Sequence, residues 1–235
     1  MPFVEWELVE VGRPIFHGSL YTVNRAWLVL PDGYQIPVAL KQPVPEAQSS
    51  MMENNMRREA LALKMLDGLA GVPRLYGMTH TGAGLGLVMS FSPGRSLASL
   101  RGEMSARSYL TVLMYACGTL LKMHERCVSH LNLRDEHILI DVSKDGKMRS
   151  FTIIAFTRAE RECGQWKMMH DAEIVRSMVS SVYDEIVSDP KDKNYIRHER
   201  MDKIVQGNMS VGQIMMELCS ILHNHPVDAP CKYRP

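Results

Sequence analysis

The sequence predicts an α+β protein whose strands come first and whose helices come last. Three observations carry that reading. Residues 18–41, GSLYTVNRAWLVLPDGYQIPVALK, hold two β-rich runs around Pro31-Asp32-Gly33, a tripeptide suited to a tight turn between paired strands. Residues 53–66 switch to a helical period, with Met56, Ala60, Leu63 and Leu66 recurring every three to four positions. From residue 105 onward long segments keep that helical period, with no regular alternation of strand and helix. A parallel βαβ array is therefore excluded.

The elements follow in order. Residues 43–50, PVPEAQSS, read as loop after the first hairpin. The helix from Glu53 ends at Gly68, Gly71 and Pro73. Residues 74–91, RLYGMTHTGAGLGLVMSF, read as two strands around a glycine-rich turn, and SPGRSL as a linker. Residues 105–126 form a long amphipathic helix with Ser105 as its N-cap. A second hairpin turns at Asp145-Gly146, with Asp141 as its capping residue. Residues 171–187 and 211–222 are apolar at helical spacing. The expected division is a strand-rich part with one helix over residues 1–91 and a helical part over 92–235.

Composition excludes several classes. The 235 residues are 46% hydrophobic and 23% charged, with a net charge of +1. That is globular composition, and it implies no nucleic-acid or membrane partner. Arg57, Arg58 and Lys64 lie on the polar face of one helix, a solvated face rather than a nucleic-acid stripe. No apolar run is long enough to span a bilayer, and the stretch MPFVEWELVE has neither the basic nor the apolar part of a signal peptide. Five cysteines at irregular spacing suggest reduced thiols and an intracellular, cytoplasmic setting. Eighteen methionines read as adaptable core filling.

The motifs, taken in order, resemble the protein kinase fold over about residues 8–222. VALK (38–41) is similar to the V-A-I-K strand, which implies for Lys41 the role of the lysine on the nucleotide phosphates. Glu59, in RREALALKML, matches the helical glutamate that pairs with that lysine. LVMSFSPGRSL resembles the fifth strand and hinge, with Met89 near the gatekeeper and Ser90, Phe91 and Ser92 on the adenine edge. VGRPIFHGSLY stands where the glycine-rich loop belongs and keeps Gly12. MHERCVSHLNLRDEHILI resembles the helix that runs into the catalytic loop. In HDAEIVRSMVSSVYDEI, Asp171 matches the aspartate that anchors that loop from below, beside the structural His130.

The chemistry of that family is absent from these positions. Where H-R-D is followed five residues later by Asn, this chain reads His130, Asn132 and His137. An amide is no base for a hydroxyl proton, and imidazole is a poor ligand for oxygen-loving Mg²⁺. At the D-F-G position stands Ala155-Phe156-Thr157, and alanine holds no metal. Pro14 replaces a phosphate-facing glycine and has no N–H to offer. Only fourteen residues separate Phe156 from Asp171. The short segment resembles compact kinase-like proteins found among fungal sequences and some small-molecule kinases.

The resemblance thus implies a bilobal pseudokinase with a reduced helical second lobe. It would have no catalytic residues and no cofactor, with weak ATP binding at most through Lys41, Glu59, Gly12, Met89 and Phe91. Its partner would be a protein, for example an active kinase or a pathway enzyme. The alternatives are a divergent phosphotransferase or nucleotidyltransferase using Lys41 with Asp135 or Glu136, and a nucleotide-sensing switch. The Lys41–Glu59 pair is expected to be partly exposed and worth roughly 0–1 kcal/mol. Cys219, His223, His225 and Cys231 have the ligand types of a zinc site at an unusual spacing. His124, Cys127 and His130 make a similar set. Cys219 also fits the apolar stripe with Met215 and Leu222, and the kinase resemblance already gives His130 a structural role, so no metal is expected.

Overall fold

The structure is a computed structural model that describes residues 2–45, 50–162, 164–187 and 195–223. Five antiparallel strands form the first sheet: β1 (Val9–His17), β2 (Tyr21–Val29), β3 (Gln35–Pro43), β4 (Leu75–Thr81) and β5 (Gly84–Ser90). Their spatial order is β1-β2-β3-β5-β4. The turn expected at Pro31-Asp32-Gly33 is present. Gly33 N–H donates to Leu30 O at 2.8 Å, and Tyr34 N–H donates to the Asp32 carboxylate at 3.0 Å. Gly33 takes φ 79°, a left-handed conformation that costs glycine little.

Helix α1 (Ser50–Met65) lies between β3 and β4 in the chain. Its buried stripe is Met52, Met56, Glu59, Ala60 and Leu63, so a carboxylate stands in the middle of an apolar face. Helix α2 (Leu97–Leu100) follows, then α3 (Ala106–Glu125). Ser105 caps α3 as expected, its hydroxyl accepting from Ser108 N–H at 3.2 Å. Strands β6 (Arg95–Ser96), β8 (Ile138–Val142) and β9 (Met148–Ile153) form a three-stranded sheet in the order β6-β8-β9. Short strands β7 (Val128–Ser129) and β10 (Glu160–Arg161) pair with each other. Helices α4 (Gln165–Ser180), α5 (Tyr183–Val187), α6 (Tyr195–Gln206) and α7 (Val211–His223) complete the described fold.

Two expectations of the fold need correction. The helix placed over 171–187 starts six residues earlier and breaks after Ser180. At the break the Ser181 hydroxyl bonds back to Met178 O at 2.7 Å and Arg101 donates to Ser181 O at 3.0 Å. Side-chain competition for helix carbonyls ends the helix there. The β8–β9 hairpin is capped by Ser143, not Asp141: the Ser143 hydroxyl accepts from Lys147 N–H at 3.0 Å. Strand β1 begins where the broken alternation of VGRPIF gave little signal, and its pairing with β2 shifts register on both sides of Pro14.

One apolar cluster runs from Met56 and Leu63 of α1 through Leu87 and Met89, Leu110 and Leu120, to Val175 and Leu218. A second, smaller cluster covers the other face of the first sheet, with Val9, Ala26, Leu28, Val38, Leu40 and Val88. Strand alternation therefore turns Ala39 and Lys41 toward α1 and Val38 and Leu40 away from it. No helix among the described residues is long and apolar enough to cross a membrane.

Candidate functional site

Lys41 lies on β3, opposite Val23 of β2 and Leu87 of β5. Its ammonium donates to Glu59 Oε2 at 2.5 Å and to the Thr157 hydroxyl oxygen at 2.8 Å. The Thr157 hydroxyl donates in turn to Glu59 Oε2 at 2.9 Å. The same ammonium sits 4.5 Å from the centroid of the Tyr21 ring, a cation–π contact. The pair is buried, with side-chain exposures of 9% and 3%, which corrects the expectation of a partly exposed pair. The apolar faces of α1 and β5 exclude water, so each charge depends on the other. Burial pushes the Tyr21 hydroxyl above its ordinary pKa, with Asn55 opposing and Glu59 adding to the rise. Asn55 does not complete a well-formed hydrogen bond to that buried hydroxyl.

Asp171, fully buried on α4, supports the 130–132 backbone from below. Its Oδ2 accepts from His130 N–H at 2.9 Å, and its Oδ1 accepts from Leu131 N–H at 2.7 Å. His124 Nε2, on α3, donates to Oδ2 at 2.9 Å. Leu131 is held at φ 58°, a left-handed conformation costly for a side-chain-bearing residue. His130 Nε2–H donates to Ile154 O at 3.0 Å, and its Nδ1 accepts from Asn132 N–H at 3.3 Å. Both ring nitrogens are thus committed in the neutral form. Burial lowers the His130 pKa, outweighing the opposite pull of Asp171.

Asn132, His137 and Ala155 come close together in the chain fold here. His137 Nδ1–H donates to Asn132 O at 2.6 Å, and Ile154 N–H donates to His137 O at 2.8 Å. The next residue, Ala155, takes φ 68° and ψ 57° and leads into the short helix Phe156–Arg158. Phe156 meets the His130 ring edge-on at 4.9 Å. Burial lowers the His137 pKa, and nearby Arg134 and Lys41 also disfavour its charged form. Among the described residues, no group of three or more His, Cys, Asp or Glu side chains is placed to hold a metal ion.

Gly12 and Pro14 both lie within β1, and the turn between β1 and β2 falls at residues 18–20. A Cβ on Gly12 would come within 2.7 Å of both Arg25 O and the Trp27 ring. Close approach to β2 accounts for the glycine. Arg25 and Trp27 stand on the same face of β2 as Lys41 on β3, since Arg25 pairs with Ala39 and Trp27 with Pro37. Met89 pairs with Ala39 from the other side. Phe91 N–H donates weakly to Pro37 O at 3.4 Å, and Ser90 N–H donates to Arg74 O at 2.8 Å. The Arg25 guanidinium carbon lies 5.5 Å from the Trp27 ring centroid and 5.0 Å from that of Phe91.

The remaining candidates fall elsewhere. Asp135 Oδ1 accepts the Tyr109 hydroxyl proton at 2.7 Å, and burial with that carboxylate pushes the Tyr109 pKa up. It is engaged with α3, and Glu136 is exposed. Cys219 Sγ lies 3.3 Å from Met114 Sδ, and His223 Nδ1–H donates to Cys219 O at 2.7 Å. His225 and Cys231, half of the candidate zinc set, lie outside the described residues. Of the set His124, Cys127 and His130, His124 is spent on Asp171 and Cys127 is exposed. A groove of about 310 Å³ runs beside α4, between Trp166, Met169 and Arg176 on that helix and Met209 beyond α6. Trp166 on its rim is 66% exposed.

Thr157 and Arg25 escaped the sequence reading. Thr157 could have been found as a hydroxyl two residues after Ala155. Arg25 had no local signal. Compared with protein-family models and with curated proteins, the chain matches none.

Proposed function

We propose that this chain is a catalytically inactive protein of the kinase-like class, a pseudokinase with a reduced second lobe, that works by binding a protein partner. Two geometric features support the class. A strand lysine and a helix glutamate eighteen residues apart meet in a buried ion pair, and a buried aspartate of a later helix holds the His130–Leu131 backbone. The division into lobes over 1–91 and 92–235 belongs to this reading.

One observation carries the loss of catalysis. The Lys41 ammonium is already engaged by Glu59, Thr157 and the Tyr21 ring, and Ala155, two residues before Thr157, carries only a methyl group. Phosphoryl transfer depends on metals, a positioned base and a lysine free to meet phosphate. The side chains at 132, 137 and 155 supply an amide, a neutral imidazole and a methyl group. Asp135, tied to Tyr109, gives little support to the divergent-transferase alternative. Exposed Trp166 beside an open groove favours a binding role, because large aromatic side chains anchor protein interfaces.

The test is a thermal-shift series with ATP, with and without Mg²⁺ or Mn²⁺, beside a phosphate-release assay on wild type and Lys41→Ala. The expected result is no stabilisation and no release above the variant. Lys41-dependent release would refute the inactive reading. Mg²⁺-dependent stabilisation without release would move the nucleotide switch to first place.

A further inference from the structure

The face of the first sheet that carries Lys41 also carries a cation without a counter-ion. Among the described residues, no carboxylate lies within ion-pairing distance of Arg25, and its Nε is buried with no hydrogen-bond partner. What holds the guanidinium is aromatic: Trp27 at 5.5 Å and Phe91 at 5.0 Å. Glu10, the nearest acid by register because it pairs with Trp27, is already engaged with Gln35 at 2.9 Å. This arginine thus lies beside two rings with no carboxylate partner among the described residues. Guanidinium prefers a bidentate carboxylate or phosphate whenever one is within reach.

We propose that Arg25, Trp27 and Phe91 form a binding slot for a small aromatic carboxylate. The ligand's ring stacks against Trp27 and Phe91 in the place the guanidinium now takes. Its carboxylate pairs with the displaced guanidinium and with the orphaned Nε–H. Ala39 and Met89, paired across the neighbouring strands, give that place a small apolar floor. All three slot residues are partly exposed, so the slot opens to solvent. The Arg25 charge beside two rings selects for an anion joined directly to a ring. The inference stands on strand register and side-chain distances and does not depend on the kinase-like reading.

The test uses the full chain, isothermal calorimetry and two isosteric probes, 2-naphthoate and the uncharged 2-naphthamide. Wild type should bind 2-naphthoate saturably at one site and the amide at least about tenfold more weakly. Arg25→Ala should lose that preference, binding both probes alike, and Arg25→Gln, which keeps the side-chain bulk, should do the same. Phe91→Leu should weaken the naphthoate without abolishing the charge preference. A circular dichroism spectrum unchanged from wild type qualifies each variant. Two results would overturn the proposal: no saturable naphthoate binding to wild type up to about 1 mM, or Arg25→Gln binding it as tightly as wild type. Competition by Mg²⁺-ATP would count against the proposed lack of ATP binding and leave the slot standing.

Discussion

Replacing Asp171 by alanine removes the support beneath the 130–132 loop, and the cost can be worked from its contacts. The carboxylate is fully buried and accepts from His130 N–H at 2.9 Å, Leu131 N–H at 2.7 Å and His124 Nε2 at 2.9 Å. Each backbone donor stranded in the interior costs about 1–3 kcal/mol. The two N–H groups together set a range of about 2–6 kcal/mol. Part of this is returned, because Leu131 is freed from φ 58°, a conformation that stores about 1–3 kcal/mol. Water entering the vacated space returns some more. The expected net loss is about 3 kcal/mol, or a fall in Tm of roughly 6–12 °C for a chain of this size. Asp171→Asn keeps one oxygen acceptor but turns an NH₂ toward a backbone donor, so its loss should be smaller yet clear. Urea unfolding by linear extrapolation measures both. If both variants fall within about 0.5 kcal/mol of wild type, as surface substitutions do, Asp171 does not carry the loop.

Three further outcomes follow from the same region. Lys41→Ala and Glu59→Ala should each cost about 3–5 kcal/mol, because each leaves a buried charge unpaired. The double change to Met and Leu should cost far less, with strong coupling in the cycle. For His137, burial lowers the folded-state pKa, so the folded protein prefers the neutral ring. Its contribution is full above the unfolded value of about 6.5 and is lost as pH falls through the lower folded value. Stability curves from pH 8 down to pH 5 should therefore flatten in His137→Asn relative to wild type; parallel curves would show no linkage at this ring. Gly12→Ala puts a methyl carbon 2.7 Å from Arg25 O and from the Trp27 ring. It should cost about 1–3 kcal/mol in urea unfolding, since the backbone oxygen cannot move aside cheaply.

What could be read in advance was what short-range chemistry decides. The turn at Pro31-Asp32-Gly33, the Ser105 cap and the apolar stripe of α1 depend on neighbours within a few residues, and each formed where expected. Asp171 and its backbone donors near His130 could be anticipated, but not His124, which reaches the carboxylate from α3. Strand β1 was hidden by Gly12 and Pro14, which break alternation while the bulges around Pro14 accommodate them. Thr157 meets Lys41 from 116 residues away and Glu59 from 98, and nothing in its own surroundings announces that. Arg25 meets Phe91 only because β3 lies between β2 and β5 in the sheet. Sequence spacing states which residues share a strand face; it does not state which strand comes to lie beside which.

The burial of Lys41 and Glu59 has a bearing on how this sequence can drift. Either residue lost alone leaves a charge marooned in an apolar interior, so every single-step route away from the pair crosses a poorly folded intermediate. Only a near-simultaneous double change escapes that valley. Lineages can therefore keep both residues for as long as they keep the fold, whether or not any chemistry is selected for. A lysine and a glutamate retained at this spacing record the difficulty of removing them, and their persistence among relatives would be weak testimony for activity.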